Sequence, residues 1–350
     1  MNDRFFEGLK ILEFASVLAG PLAGSFFAEL GADVIKVENP VTGGDVTRKW
    51  KLTSESYDAP VSAYYASANY GKKVLWADLN DIKQKALIRE ELQQADVVLV
   101  NFKPGSATKL GLDYASVSGI NPNIIYASLS GYGESSGKVA FDMVLQAETG
   151  FMSMTGNEDG PPCKIPIAMI DVMAAHHLKE AVLCALIKKM KTGEGSFIHI
   201  SLEDAAIASL VNQGSNYLMA GKVAGRMGSL HPNIAPYGEV FNSSDGKNIM
   251  LAIGTEAQFA RFCELVDIDH SRYPSNVDRL KNRRSLKNEI EEKIRQKPLD
   301  WWRHALNNKK IPFAEIQDLA QVFDSGRHDA RILESEIEGI VTKRCRTAYI

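Results

Sequence analysis

Several side chains in this 350-residue chain could take part in chemistry, and their spacing decides which reactions are open. Asp171 stands in "KIPIAMIDVMAAHHLKEAVLCALIKKM", between an apolar extended run and a helical pattern. A short acid there would cap the free amides of the helix, the reading its position favours, and that is compatible with an anion kept ionised and positioned at a helix N-terminus. His176 and His177 lie close by with Glu180. Adjacent histidines point about 100° apart on a helix, so they cannot share a metal as the histidines of H-E-x-x-H do, and they read as surface or structural residues. In "GYGESSGK" the run Gly133 to Gly137 is one residue short of a phosphate loop, and Val139 stands where a Ser or Thr would hold Mg²⁺. That segment reads as a flexible loop.

The stretch "LAGPLAGSFFAELGADVIKVENP", 18–40, offers a second decoy. Gly20 and Gly24 at a strand-to-helix turn, with Glu38 after the next strand, would suit a dinucleotide. Pro21, however, removes an amide that a pyrophosphate would need, and the G-x-G-x-x-G spacing is absent, so Pro21 reads as the first residue of a helix.

The elements that must position these residues follow a strand-helix rhythm. Strand-like runs at 10–14, 33–37, 96–100 and 124–130 alternate with helical patterns near 21–30 and 81–94. This predicts an α/β, Rossmann-like large domain with a parallel sheet covered on both faces. A long helix is predicted from Asp171 to about Met190, stopped by Gly193 and Gly195 and followed by a strand over 197–202. From about 225 the pattern changes to loop, strand, a turn at Ser244-Asp245-Gly246, strand, and helices over 256–266, 276–295 and 299–307, which predicts a smaller α+β domain. The expected boundaries are 1–205 for the large domain and 225–305 for the small one.

A net charge of -3 gives no field for nucleic acid or an anionic membrane, so neither is an expected partner. Four cysteines, Cys163, Cys184, Cys263 and Cys345, lie far apart without a C-x-x-C pair. That argues against a disulfide framework or a zinc site and fits a reducing cytoplasm. The acid-containing start "MNDRFFEGLKILEF" and the lack of a long apolar run point away from secretion and membrane insertion.

Taken together, six stretches and Asp171 resemble family III coenzyme A transferases, the group that includes formyl-CoA:oxalate and carnitine CoA-transferases. They are "GLKILEFASVLAGPLAGSFFAELGADVIKVENPVTGGDVTRKW" (8–50), "NYGKKVLWADLN" (69–80), "VNFKPGSATKLGLDY" (100–114), "FDMVLQAETGFMSMTG" (141–156), "KTGEGSFIHISLEDA" (191–205) and "HPNIAPYGEVF" (231–241), together with Asp171. The resemblance implies an interlocked homodimer whose large domain is completed by about 310–350. It implies that Asp171 is the nucleophile, attacking an acyl-CoA thioester to give an aspartyl anhydride and then an aspartyl-CoA thioester, and that a carboxylic acid acceptor reverses the exchange. With a pKa near about 3.9, such a carboxylate would already be ionised at neutral pH. Asp142 and Gln146 are implied beside it, with Gln146 as a donor to the oxyanion. Ser16, Leu18, Ala19, Asn101, Phe102, Ala107 and Lys109 are implied as CoA contacts, with Lys72, Lys73 and Lys138 for its phosphates. No cofactor is bound permanently; coenzyme A comes as substrate.

Departures from the family pattern narrow this carry-over. Ser16 stands where some relatives have His, Asn39 near an Arg position, and Lys138 one residue before a Lys position. The loop 225–231 lacks a tetraglycine run. Two alternatives remain open: an acyl-CoA racemase, disfavoured because Phe141 rather than His precedes Asp142, and a non-catalytic CoA-binding protein, disfavoured by the retained Asp171.

Overall fold

A computed structural model describes residues 4–349; Met1–Asp3 and Ile350, at the two ends of the expected large domain, lie outside them. The described chain forms two compact units. One runs through Phe151, resumes over Lys164–Val223 and takes in the chain from His328 onward, while the other comprises Met152–Cys163 and Ala224–Arg327.

The first unit is built on six parallel strands: β1 (Lys10–Glu13), β2 (Asp33–Glu38), β3 (Lys73–Trp76), β4 (Val97–Val100), β5 (Ile125–Ser130) and β6 (Ser196–Ser201). Their order is β3-β2-β1-β4-β5-β6. Val97–Val100 is buried at every position, as a central strand covered on both faces must be. On one face Leu12, Val98, Val100 and Tyr126 pack with Ile88 and Leu92 of the Ile82–Gln94 helix. The Ala19–Glu29 and Met169–Thr192 helices pack together elsewhere in the same unit.

The order reverses between β1 and β4, where a parallel sheet opens a crevice beyond its strand ends. Ser16 follows β1 and Asn101 follows β4, so both reach that crevice.

The glycines of the 18–40 stretch serve packing. A Cβ on Gly20 would come within 2.4 Å of Ala15 Cβ, and one on Gly24 within 2.0 Å of Glu13 Oε2. Only glycine lets the Ala19–Glu29 helix lie this close to β1.

Among the elements that escaped the periodicity reading are β3 and the C-terminal hairpin. β3 has just four residues, exposed at both ends. At the C-terminus β10 (Ile332–Ile337) and β11 (Ile340–Cys345) form an antiparallel hairpin. Its turn uses positive φ at Glu338 and Gly339, the geometry of a tight hairpin loop. Ile337 and Ile340 close over Val61 and Tyr65, and Glu338 pairs with Arg48 at 3.1 Å.

In the second unit β7 (Tyr237–Asn242), β8 (Asn248–Ala252) and β9 (Phe313–Glu315) form an antiparallel sheet. It packs Phe241, Ile249 and Leu251 against Phe259, Phe262 and Trp302. The expected 276–295 helix is two helices, Asn276–Lys281 and Arg283–Ile294, because Asn282 leaves the helical geometry between them.

Candidate active site

Asp171 sits in the first turn of the Met169–Thr192 helix. The N-cap is Ala168, which has no side-chain cap, so the capping reading of Asp171 does not describe this helix. The Asp171 carboxylate is 9% exposed and accepts no hydrogen bond from the described residues. Burial, followed by the charge of Asp142, pushes its pKa up to about 7. The expectation of an ordinary carboxylate, fully ionised well below neutrality, is corrected by this environment.

Asp142 opens the Asp142–Glu148 helix and is held from both sides. Its Oδ1 accepts from the Ile170 amide at 2.7 Å, and its Oδ2 accepts from Gln146 Nε2 at 2.7 Å. Gln146 Oε1 in turn accepts from the Ile165 amide at 2.7 Å, while Nε2 also reaches the Ile167 carbonyl at 3.4 Å. Gln146 is fully buried. Its amide, expected as an oxyanion donor, is spent on ordering the segment that leads into Asp171.

Asp171 opens onto a cavity of about 490 Å³ that gathers residues far apart in the chain. Ser16, Leu18, Ala19, Asn101, Phe102 and Lys138, all singled out in the sequence, line it. Leu18 is the N-cap of the Ala19–Glu29 helix and brings no side-chain acceptor to the first-turn amides. Asn101 spends its amide on Ser16, with Oδ1 accepting from the Ser16 amide at 3.0 Å and Nδ2 donating to the Ser16 carbonyl at 2.8 Å. Lys138 pairs with Glu148 at 2.5 Å and lies over the Tyr132 ring. The hydrogen bond to Glu148 holds its ammonium above the ordinary lysine range.

Other expected CoA contacts stand apart from this cavity. Ala107 lines a neighbouring space of about 430 Å³, which also touches Phe102. Lys109 is exposed in the last turn of the Ser106–Leu110 helix. Lys73 is exposed and pairs with Asp33 at 2.7 Å.

Lys72, expected to meet a CoA phosphate, is corrected: its side chain is 1% exposed and its ammonium reaches Glu13 at 2.9 Å, the Pro21 carbonyl at 2.7 Å and Asn69 at 3.0 Å. Burial lowers its pKa to about 8. No phosphate can reach an ammonium sealed in this way.

The structure also brings in residues that the sequence reading passed over. Lys103, inside the quoted N-F-K-P-G run, lines both the Asp171 cavity and its neighbour. Ser130 does the same; its hydroxyl lies 2.9 Å from His199 Nε2 and accepts from the Gly133 amide at 3.0 Å. Tyr64 is pushed up to about 12, by burial and then by the charges of Asp171, Asp142 and Asp45. Ring and acids so far apart in sequence carry no spacing signal.

The decoy loop is a wall of the cavity, through Gly131, Gly133, Ser136 and Gly137. Gly133-Glu134-Ser135-Ser136-Gly137 spells G-x-S-x-G, but it lies on irregular chain with Ser135 exposed, not on the strand-to-helix elbow that presents a hydrolase serine. Among the described residues no group of three His, Cys, Asp or Glu is arranged to hold a metal, and no helix is long and apolar enough to cross a membrane.

A family model described as CoA-transferase family III matches residues 6–347. The succinate–glutarate CoA-transferase of Agrobacterium fabrum is 38% identical over 361 residues, which cover 98% of this chain and 88% of that protein. The human succinyl-CoA:glutarate CoA-transferase is 35% identical, covering 96% of this chain and 77% of its own. Among solved structures, a CAIB/BAIF family protein from Brucella suis superposes with a TM-score of 0.83 at 36% identity, covering 98% of this chain and 92% of that one.

Proposed function

The chain belongs to CoA-transferase family III and is a CoA-transferase, and from that premise we propose that Asp171 carries the transfer as a covalent nucleophile. The observation that carries the reading is a buried carboxylate, free of hydrogen bonds from the described residues, facing a cavity walled by Leu18, Ala19 and Phe102.

In the first step the ionised Asp171 oxygen bonds to the thioester carbonyl carbon, the C–S bond breaks, and CoA leaves as thiolate. The product is a mixed anhydride. The thiolate then attacks the aspartyl carbonyl, the anhydride C–O bond breaks, and the first acid leaves as its carboxylate. An acceptor carboxylate repeats both steps in reverse order on the aspartyl-CoA thioester. No proton, water or phosphate is consumed, so the thioester energy passes from one acid to the other.

Burial suits this chemistry, since a desolvated carboxylate is a stronger nucleophile and an anhydride must be kept from water. Asp142 and Gln146 position the entry to the helix instead of donating to the oxyanion. We assign the donor role to the uncapped first turn of the Ala19–Glu29 helix. Lys138 and Lys103 serve the anionic groups of CoA, and Phe102 offers a ring to its base. Coenzyme A enters as substrate, with no resident cofactor.

We take the exchanged acids to be four- and five-carbon dicarboxylic acids, by analogy with relatives named for succinate, glutarate and, at 30% identity, mesaconate. We further propose a cytoplasmic homodimer, each large domain being completed by the returning C-terminal chain and each small domain, expected over 225–305, running on to Arg327 and taking in Met152–Cys163. The Val211–Ala220 helix supports the dimer, because it buries none of its residues and leaves Leu218 and Met219 more than four-fifths exposed. Light scattering should give twice the 38.5 kDa chain mass; a monomer at micromolar concentration would rule the dimer out.

Intact-protein mass spectrometry after incubation with succinyl-CoA, glutaryl-CoA and acetyl-CoA tests the nucleophile. The native protein should gain a CoA adduct that hydroxylamine converts to a hydroxamate, and Asp171→Ala should gain none. An adduct of equal yield on Asp171→Ala would overturn the assignment.

A further inference from the structure

The turn that joins β1 to the Ala19–Glu29 helix contains a backbone that its own sequence does not favour. Val17 has φ +73°, a left-handed geometry that a β-branched residue adopts only where its surroundings impose it. Those surroundings are specific. Asn101 grips Ser16 through both its amide and its carbonyl, at 3.0 and 2.8 Å. The Val17 amide donates to the Asp45 carboxylate, at 3.1 Å to Oδ2 and 3.3 Å to Oδ1.

Asp45 is itself fixed. It is 4% exposed, accepts from the Thr47 amide and hydroxyl at 3.0 and 2.8 Å, and pairs with Lys36 at 3.1 Å. Lys36 is fully buried; its ammonium donates to the Ala15 carbonyl at 2.7 Å and pairs with Glu13 at 3.1 Å. Glu13 pairs with Lys72, whose ammonium donates to the Pro21 carbonyl at 2.7 Å. The chain of charges thus takes hold of the turn at Ala15, at Val17 and at Pro21, on both sides of Leu18 and Ala19.

We infer that Asp45 and Asn101 are positioning residues for CoA transfer: together they hold Val17 in its left-handed geometry so that Leu18 and Ala19 face the cavity of Asp171. The inference rests on the reading of that cavity as the acyl-CoA site. Asp45 lines an adjoining cavity of about 320 Å³ that shares Ser16 and Phe102, not the Asp171 cavity itself, and its oxygens are occupied by Val17, Thr47 and Lys36, so its route to Asp171 runs through the turn. Asn101 does line the Asp171 cavity, yet both ends of its amide are occupied by Ser16. The buried cations explain why an acid can serve as the acceptor here: Lys36 compensates the charge, and Thr47 and Val17 satisfy the remaining lone pairs.

Strain supplies the test, because glycine takes positive φ without a clamp. Asp45→Asn keeps the shape and loses the charge. In the native background it should raise KM for succinyl-CoA by about tenfold while changing kcat less than about threefold, the pattern of a lost binding geometry. Placed on Val17→Gly, the same substitution should cost less than about threefold relative to Val17→Gly alone. Taking this ratio cancels whatever the glycine does by itself. Equal penalties in the two backgrounds would overturn the clamp.

Should Asp45→Asn not fold, Asn101→Ala carries the same comparison in both backgrounds. Hydrogen exchange gives a reading independent of turnover: the Ser16 and Val17 amides should exchange at least about tenfold faster in whichever variant folds, with the β4 amides unchanged. Unchanged protection at Ser16 and Val17 would overturn the clamp. A native protein that neither binds CoA nor transfers it would overturn the function proposed for the cavity, and the exchange measurement would still decide the clamp.

Discussion

At the scale of single residues, Asp171 sets the pH behaviour. Its pKa is raised to about 7 by burial and by Asp142, so the ionised form, the nucleophile of the proposed mechanism, is gained as pH rises through neutrality. The acylation rate at low acyl-CoA should therefore climb through about pH 7 and level above it, which a pH series of adduct formation checks. The same shift acts on folding. A carboxyl whose folded pKa exceeds the unfolded value near 3.8 contributes stability that is fully present below that value and is lost as pH rises through about 7. Asp171→Asn should consequently match the native protein in thermal melting near pH 4 and exceed it near pH 8. The gain is at most on the order of 4 kcal/mol. A variant less stable than native at pH 8 would contradict the buried, unpaired carboxylate. From its place before a helical pattern Asp171 was legible in the sequence as a cap, and from the family resemblance as a nucleophile. The shift was not legible, since it depends on Asp142, brought close by folding, and on how Gln146 and Ile170 hold that acid.

At the scale of elements, the Ala19–Glu29 helix is placed by what it lacks. A methyl on Gly24 would collide with Glu13 Oε2, and Glu13 cannot retreat without disturbing its pairs with Lys36 and Lys72. Gly24→Ala gains about 1 kcal/mol of helix propensity. Against that stand overpacking of about 1–3 kcal/mol and damage to a buried ion pair, worth about 3–5 kcal/mol when a partner is lost, so the net should be a loss of roughly 2 kcal/mol or more. Urea unfolding reads it, and a neutral or stabilised variant would contradict the close approach. The parallel strands with strong apolar runs were legible, because burial on both faces writes itself into composition, as at Val97–Val100. β3 was not, because a four-residue edge strand with exposed ends carries no such signature. Lys72, just before β3, was expected beside Lys73 as a phosphate contact, and only the packing of the glycine-bearing helix over Glu13 reveals where its ammonium goes.

At the scale of the whole molecule, the chain leaves the first unit after Val223 and re-enters it at His328, ending in a hairpin tied to Arg48 and Glu29. A return of this kind has no local pattern; the resemblance, not periodicity, pointed to it. The buried charges have a consequence for such a molecule that goes beyond shape. The anhydride and thioester proposed for Asp171 are acylating agents, and an uncharged amine within their reach would be consumed by them. Lys36 loses part of its basicity to burial but regains more from Glu13, Asp45 and Glu38, so it stays an ammonium, and Lys138 is kept charged by Glu148. Lys72, the more readily deprotonated of these lysines, is sealed from the cavity. Lys103 alone among the cavity's lysines is exposed and without an ion pair among the described residues. In the adduct map of the native protein, label that strays from Asp171 should accumulate on Lys103 while Lys36 and Lys72 stay clean: the fold's buried electrostatics double as protection against self-acylation.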